Sequence, residues 1–330
     1  MTPDPLQNHN LFHPAPPEPA LTIGSRGSAL ALWQARYVAS RLGALGVETK
    51  IEIIKTTGDH LQTASLAETG GKGLFTKEIE DALLAGHIDL AVHSLKDLPV
   101  DLPAGLALAA VPERDDPRDA LVGRPLEELA QGALIGTSSG RRAAQLRLLR
   151  PDLLVRPIRG NVDTRLRKVR EGAYAATLLA VAGLRRLGLE GEIAQIFSVD
   201  EMTPAPGQGA LGIETREQGE AREICRQLEH LATRRQVDCE RAVLAELGGG
   251  CQLPLGALAE QEGSVLRVRA VIITPQGGRF VRASHSGPVE DAERIGRELA
   301  RTLLSAGGDA ILEEVAAAAS TEAASTRDDA

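Results

Sequence analysis

Cys251 sits in GGGCQLPLG (248–256), where three glycines run directly into a thiol and Pro254 follows closely. Glycines leave the neighbouring backbone pliable and the sulfur sterically open, as a thiol that must accept a bulky adduct requires. A buried cysteine behind a helix-ending glycine run accounts for the same string equally well. AVHSLKDLPV (91–100) closes an apolar run and presents His93, Ser94, Lys96 and Asp97 before Pro99. A carboxylate beside Lys96 keeps its charge and can stabilise a developing cation or exchange protons. A solvated strand-to-loop junction needs no such chemistry, and His93 taken alone is more often structural. IGTSSGRR (135–142) sets Thr137 and Ser139 ahead of Arg141 and Arg142, and IRGNVDTRL (158–166) repeats the device with Arg159, Asn161, Thr164 and Arg165. Backbone N–H groups at a helix start, joined by guanidinium forks, suit carboxylates or phosphates.

The elements needed to position these residues follow from the hydrophobic periodicity. From Leu21 the chain alternates strand-like and helix-like runs: LTIGS, SALALWQARYVASRLGAL with Ser28 as N-cap, VETKIEIIK, LFTKEIEDALLAG and DLAVHS. A second alternating block follows the turn-rich VPERDDPRD (111–119): ALIGTS, RRAAQLRLLR, LLVRPI, VDTRLRKVREG and AATLLAVA. Such alternation predicts two mainly parallel sheets covered by helices, with functional groups gathered at the strand ends. From Ser264 the pattern changes to two antiparallel strands, SVLRVRAVIIT and RFVRASHSG, and then a helix over EDAERIGRELARTLLSAG. The expected architecture is therefore three domains: two doubly wound α/β lobes and a C-terminal α+β domain with a small antiparallel sheet. Interdomain clefts are common sites for small ligands.

Charge narrows the ligand. Between Arg141 and Arg170 there are ten basic residues against two acids, Asp152 and Asp163, in a chain of net charge −8. A basic island in an acidic chain points to a compact anion, and the acidic remainder argues against nucleic acid as the main partner. Solvated helix faces account for Arg147, Arg150, Arg167 and Arg170, which leaves the arginines at loop-to-helix junctions as the better binding candidates. The 330 residues, 43% of them hydrophobic, can bury two or three cores. No stretch approaches the roughly 20 apolar residues of a membrane helix, and MTPDPLQNHNLFHPAPPEPA has no signal-peptide pattern, so a cytoplasmic location is expected. Three widely spaced cysteines, Cys225, Cys239 and Cys251, without a CxxC pair suggest neither a disulfide framework nor a metal site. GGKGLFTKE (70–78) looks like a phosphate loop but lacks its spacing and the Ser/Thr after the Lys. GQGALG (207–212) matches a dinucleotide fingerprint by letter only, because PAP precedes it where a strand belongs.

Taken in order, SRGSALALWQA, TTGD, GGKGLFTKEIE, DLAVHSLKDLP, ERDDPRDA, GTSSGRRAAQL, RPDL, RGNVDTRL, LAVAGLRRLGL, PGQGALGIE and GGGCQLPLG resemble the porphobilinogen deaminase family from about residue 21 to residue 315. The resemblance implies two lobes alike in topology to bilobal anion-binding proteins, with the chain crossing back into the first near Gly209 so that ALGIET completes its sheet. It implies domains over 21–112 with 208–228, 113–207 and 229–315, between tails at 1–20 and 316–330. It implies a dipyrromethane cofactor held by Cys251 through a thioether and Asp97 as the catalytic carboxylate. The expected activity is hydroxymethylbilane synthesis: four porphobilinogen molecules condense on that primer with loss of ammonia. Ser94, Lys96, Thr137, Ser139, Arg141, Arg142 and Arg159 are then expected at the cofactor's carboxylates. Arg26, Ser28, Lys72, Arg165 and Gln208 are expected at the substrate, in a monomeric enzyme without metal, membrane or nucleic acid. The chain departs from the family pattern at Glu68, two before GGKG, at Gly140 before Arg141, and in its proline-rich start. A non-enzymatic anion-binding protein of the same architecture needs neither Cys251 nor Asp97. A polyanion binder working through residues 141–170 requires steep salt dependence and a basic face over the whole domain.

Overall fold

LTIGS forms β1 (Leu21–Ser25), and Ser28 caps α1 (Ala29–Gly43) by accepting a hydrogen bond from the Ala31 N–H at 3.3 Å, as its sequence predicts. Such a cap satisfies one of the donors that every helix start leaves open. The computed structural model describes residues 21–56, 76–248 and 253–317. Beyond α1 come β2 (Thr49–Ile53), α2 (Lys77–Leu84), β3 (Leu90–Ser94) and β4 (Leu106–Ala110). The first sheet has the order β2-β1-β3-β10-β4, where β10 (Leu211–Arg216) arrives from much later in the chain. Ile23, Leu42, Leu90 and Ile213 are fully buried on its α1 side.

The second lobe comprises β5 (Asp119–Val122), β6 (Leu134–Gly136), α3 (Gly140–Leu149), β7 (Leu154–Arg156), α4 (Val162–Arg170), β8 (Ala176–Ala180), α5 (Val181–Arg186) and β9 (Ile193–Ile196). Its sheet order, β7-β6-β8-β5-β9, repeats the first in plan. Three parallel strands come first, then one inverted strand, β10 or β5, antiparallel to both neighbours, then an edge strand. The expectation of mainly parallel sheets thus needs an addition, and the topology supplies the reason. Each inverted strand is fed by the chain entering from the other lobe: β5 after the linker at 111–118, β10 after the linker at 197–210. A strand delivered that way enters from the opposite end of the sheet.

Past β10 lie α6 (Glu220–Arg226), α7 (Leu231–Glu246), β11 (Leu255–Glu262), β12 (Val265–Ile273), β13 (Phe280–Pro288) and α8 (Ala292–Leu303). The last three strands form the antiparallel sheet β11-β12-β13, with α7 and α8 on one face around Val243, Val268, Ile295 and Leu299. The sequence marks β12 and β13 but not β11. The first five residues of β11 are all buried because its other face docks on the second linker, where the Ala257 N–H donates to the Pro204 carbonyl at 2.9 Å. Burial on both faces erases the period-two signal. Among the described residues no helix is long and apolar enough to cross a membrane.

One acid sews the three parts together. The fully buried Glu240 of α7 takes a bidentate pair from Arg114 of the first linker at 2.6 and 3.1 Å. It also accepts from the Gly207 N–H of the second linker at 2.7 Å and the Ala259 N–H of β11 at 2.9 Å. Removing one partner of a buried ion pair strands the other charge and typically costs ~3–5 kcal/mol. Glu240→Ala is therefore expected to lower the urea midpoint followed by the fluorescence of Trp33, the sole tryptophan. A midpoint equal to wild type would show that the Arg114 charge is solvated in the folded protein.

Candidate active site

The expected contact residues that the structure describes gather where parallel strands end. Arg26 and Ser28 follow β1, Ser94 closes β3 with Lys96 and Asp97 next, Thr137 to Arg142 follow β6, and Arg159 and Arg165 follow β7. That edge is where open α/β sheets bind ligands. Lys72 and Cys251 lie outside the described residues.

Asp97 ends a 3-10 turn, Leu95–Asp97, pinned by the buried Leu95 and Leu98 on either side. The Leu95 N–H donates to the Ala210 carbonyl at 3.0 Å, so the turn is tied to the second linker. With both leucines inward, Lys96 is half-buried and Asp97 stays exposed. Successive residues of a strand face opposite ways. Ser94 accepts from the Gln34 amide of α1 at 2.7 Å, while His93 turns the other way and meets the buried Glu214 of β10 at 2.9 Å.

Asp119, the first residue of β5, is fully buried and holds both arginines of GRR. Arg141 reaches it at 2.7 Å and also donates to the Thr203 carbonyl at 2.8 Å. Arg142 reaches it through Nη2 at 2.7 Å and Nε at 2.8 Å, and donates to the Leu178 carbonyl at 3.0 Å. Burial alone would raise the Asp119 pKa, but Arg141 and Arg142 hold the carboxyl well below the usual carboxylate range. The Arg141 Nε is buried without a hydrogen-bond partner.

Gln208 is the adapter in this group. Its amide nitrogen donates to the Pro117 carbonyl at 2.7 Å and to Asp119 at 3.0 Å. Its oxygen accepts from Lys96, Arg141 and Arg142, each at 3.4 Å. The flanking glycines explain the GQG string. Gly207 and Gly209 both lie in the left-handed region, φ +73° and +88°, and a Cβ at Gly209 would stand 2.5 Å from the Asp115 carbonyl. Only glycine accepts that backbone at such close approach.

The charges of the two lobes meet here. Burial, then Arg142, push Lys96 down to about 8, against the opposing pull of Asp97 and Asp119. Burial and Arg142 likewise lower Arg165 to about 10, with Asp97 opposing. The exposed carboxylate of Asp97 thus acts on cations from both lobes. One carboxylate amid buried cations and hydroxyls can hold an acidic ligand and steady a positive charge that develops on it.

The description "Porphobilinogen deaminase, dipyromethane cofactor binding domain" matches residues 21–223, and "Porphobilinogen deaminase, C-terminal domain" matches residues 235–305. The chain belongs to the porphobilinogen deaminase family. It is 50% identical over 301 residues to the porphobilinogen deaminase of Syntrophus aciditrophicus (strain SB), covering 89% of this chain and 98% of that one. It is 48% identical over 298 residues to the porphobilinogen deaminase of Methylobacillus flagellatus, covering 88% and 96%. Among solved structures, an ABC transporter periplasmic substrate-binding protein from Coxiella burnetii aligns at a TM-score of 0.41 and 13% identity, over 63% of this chain and 91% of that one.

Within this porphobilinogen deaminase fold, sequence reasoning assigned no role to Asp119, Arg114 or Glu240, although ERDDPRDA contains two of them. The signal was available in part: an acid opening an apolar strand, DALV, must find a cation if the strand is buried. Gln208, expected at the substrate, is fully buried with both ends of its amide engaged inside the protein. Arg147 and Arg150 are not solvated helix faces either. Arg147 donates to the Pro275 carbonyl of the third domain at 2.5 Å, and Arg150 to Asp152 and the Leu126 and Leu129 carbonyls. Arg186 ties lobe to lobe: its guanidinium lies 5.6 Å from the Trp33 ring centroid and donates to the Gly209 carbonyl at 2.5 Å.

The two kinds of arginine separate by stability. Arg141→Leu is expected to cost about 3 kcal/mol, the lower end for a broken buried pair because Arg142 still faces Asp119. Arg167→Leu, whose Glu171 partner is exposed at 3.7 Å, should cost nothing measurable. Parallel urea titrations decide it, and equal midpoints would mean that Arg141 is not a buried ion in solution.

Proposed function

We propose that this chain condenses four porphobilinogen molecules, with release of one ammonia for each, on a dipyrromethane primer joined to Cys251, and that water then cleaves the bond to the primer to free the linear tetrapyrrole hydroxymethylbilane. The observation that carries the proposal is the exposed Asp97 carboxylate set among Lys96, Arg142 and Arg165 in a chain matched by the family's cofactor domain. Each pyrrole ring of the substrate and the primer bears two carboxylates, and the donors around Asp97 suit such a ligand. They are ammonium, guanidinium and hydroxyl groups, with one Arg141 N–H left over in the interior.

The bound primer supplies a free pyrrole α-carbon as nucleophile. The chain's own residues do the rest. As the substrate's protonated amine leaves as ammonia, positive charge spreads onto its pyrrole nitrogen, and Asp97 balances that charge and accepts a hydrogen bond from the pyrrole N–H; the hydrogen displaced from the attacking α-carbon leaves as a proton. The ammonium of Lys96 binds a ring carboxylate and is available below a pH of about 8. Ser94, Thr137, Ser139, Arg141, Arg142 and Arg159 serve the primer's carboxylates, and Arg26, Ser28, Lys72 and Arg165 those of incoming rings. Gln208 acts behind them.

Attachment at Cys251 has indirect support. Cys225 and Cys239 are fully buried, and burial pushes the Cys225 thiol up to about 12 and Cys239 higher still. Neither is a nucleophile at neutral pH. Downstream of Cys251, the Ala257 N–H is tied to Pro204, the neighbour of the Thr203 whose carbonyl Arg141 binds. The reading also makes the enzyme a cytoplasmic monomer; light scattering of the purified protein checks the monomer, and fractionation of cells the compartment.

Intact mass under denaturing conditions, followed by peptide mapping, should find two linked pyrroles on the Cys251 peptide, and Cys251→Ser should lack them. An adduct retained in that variant would place attachment elsewhere. Asp97→Ala should keep the adduct and lose turnover by about 100-fold or more, in line with the loss of a preorganised charge. Near-normal turnover would remove Asp97 from the mechanism. In native protein without the primer, a thiol reagent at pH 8 is expected to modify Cys251 alone; native labelling of Cys225 or Cys239 would contradict their burial.

A further inference from the structure

We propose that Asp119, buried away from the ligand, is a positioning residue for the reaction: through the Gln208 amide it fixes the Lys96 ammonium beside Asp97 and keeps it charged. The inference rests on the assignment of Lys96 and Asp97 to the reaction site.

The geometry is a relay of two short steps. Asp119 Oδ1 accepts from Gln208 Nε2 at 3.0 Å, which leaves Gln208 Oε1 aimed at Lys96 Nζ, 3.4 Å away. The second donation, to the Pro117 carbonyl at 2.7 Å, settles the amide's orientation, because a flipped amide would set its oxygen against two acceptors. Gln208 cannot move aside. It is fully buried between two left-handed glycines, one of which packs against the Lys96 backbone, where a Cβ would stand 3.3 Å from the amide nitrogen.

Electrostatics make the relay necessary. The charged groups that act on Lys96 are Arg141 and Arg142 of α3, Asp119 of β5 and its own neighbour Asp97. Burial and the two arginines favour a neutral amine, so the two acids are what keep the ammonium. Asp97 is exposed and engaged with ligand during turnover, whereas Asp119 is a constant charge that Arg141 and Arg142 hold ionised far into the acid range. Lys96 is therefore expected to be an ammonium up to a pH near 8, and activity that needs it should fall as pH rises through that value.

The test is the pH dependence of kcat/KM of holoenzyme whose primer load has been verified by mass. In Asp119→Asn the alkaline fall should move to lower pH by roughly one unit, about a fivefold loss at pH 8. Gln208→Leu, which removes the ammonium's acceptor and one hydrogen bond to Asp119 but leaves the carboxylate itself in place, should move it the same way and carries the test alone if Asp119→Asn does not fold. Lys96→Arg, which keeps a charge at any accessible pH, should abolish the fall near pH 8. Variants of Asp119 and Gln208 that lose turnover equally at every pH, with the fall unmoved, would overturn the proposal and leave the pair merely structural. A fall that persists unmoved in Lys96→Arg would instead show that Lys96 is not the titrating group, a failure of the site assignment rather than of the relay.

Discussion

Everything at the reaction site depends on one buried carboxylate carrying more positive charge than it can cancel. Asp119 faces Arg141, Arg142 and, through Gln208, Lys96. Removing charges from water is expensive, and a buried pair repays that cost only with close geometry and further hydrogen bonds. Those bonds are present in part: the Thr203 and Leu178 carbonyls each take a further guanidinium hydrogen, and Pro117 takes the second amide hydrogen of Gln208, while the Arg141 Nε hydrogen is left without a partner. The cluster is nonetheless short of negative charge. A ligand rich in carboxylates would complete it, so on the proposed function the same arrangement that holds the interior together also draws the acidic ligand toward Asp97.

That carboxylate can stand between the two lobes only because of the reciprocal crossing of the chain. Asp119 opens the inverted strand of the second lobe, delivered by the first linker; Gln208 lies in the second linker, just before the inverted strand of the first lobe. The cluster forms where both linkers pass, and Glu240 fastens that crossing to the third domain by binding Arg114 and Gly207 together. The domain expected to carry the cofactor thiol is thus anchored at the residues that also position Lys96. Order in the site and attachment of the third domain are one structural problem with one solution.

This explains what could and could not be read in the sequence. Ser28 as a cap, the strand LTIGS and the site strings after β1, β3, β6 and β7 are local, and helix caps, alternation and glycine placement report them directly. The inverted strands are not local: ALGIET is strand-like by itself, but its antiparallel place beside β3 rests on a return from the other lobe, and the sequence suggested that place only through family resemblance. β11 escaped because its first residues are buried on both faces. Asp119 escaped because it sits in a run of charged residues, ERDDPRD, whose composition says solvated turn. Its partners Arg141 and Arg142 lie 22 and 23 positions downstream, and nothing in either string says that the strand between them is buried.

The basic island shows the same effect with the opposite sign. Its ten bases suggested a concentrated anion-binding surface, yet Arg147 and Arg150 are spent on carbonyls and on Asp152, while Arg141 and Arg142 share the single carboxylate of Asp119, which cancels only part of their charge. Arg167 and Arg170 pair with Glu171 and Glu192 on exposed surface. The cations that can meet a ligand are therefore few and sit at strand ends around one exposed carboxylate. Nucleic acid needs a positive face that can follow a repeating line of phosphates, and a net charge of −8 argues against one. A small ligand that carries several carboxylates close together suits the opposite geometry: a short reach and a few directed donors, beside the crossing of the two linkers, where part of the positive charge is left uncancelled.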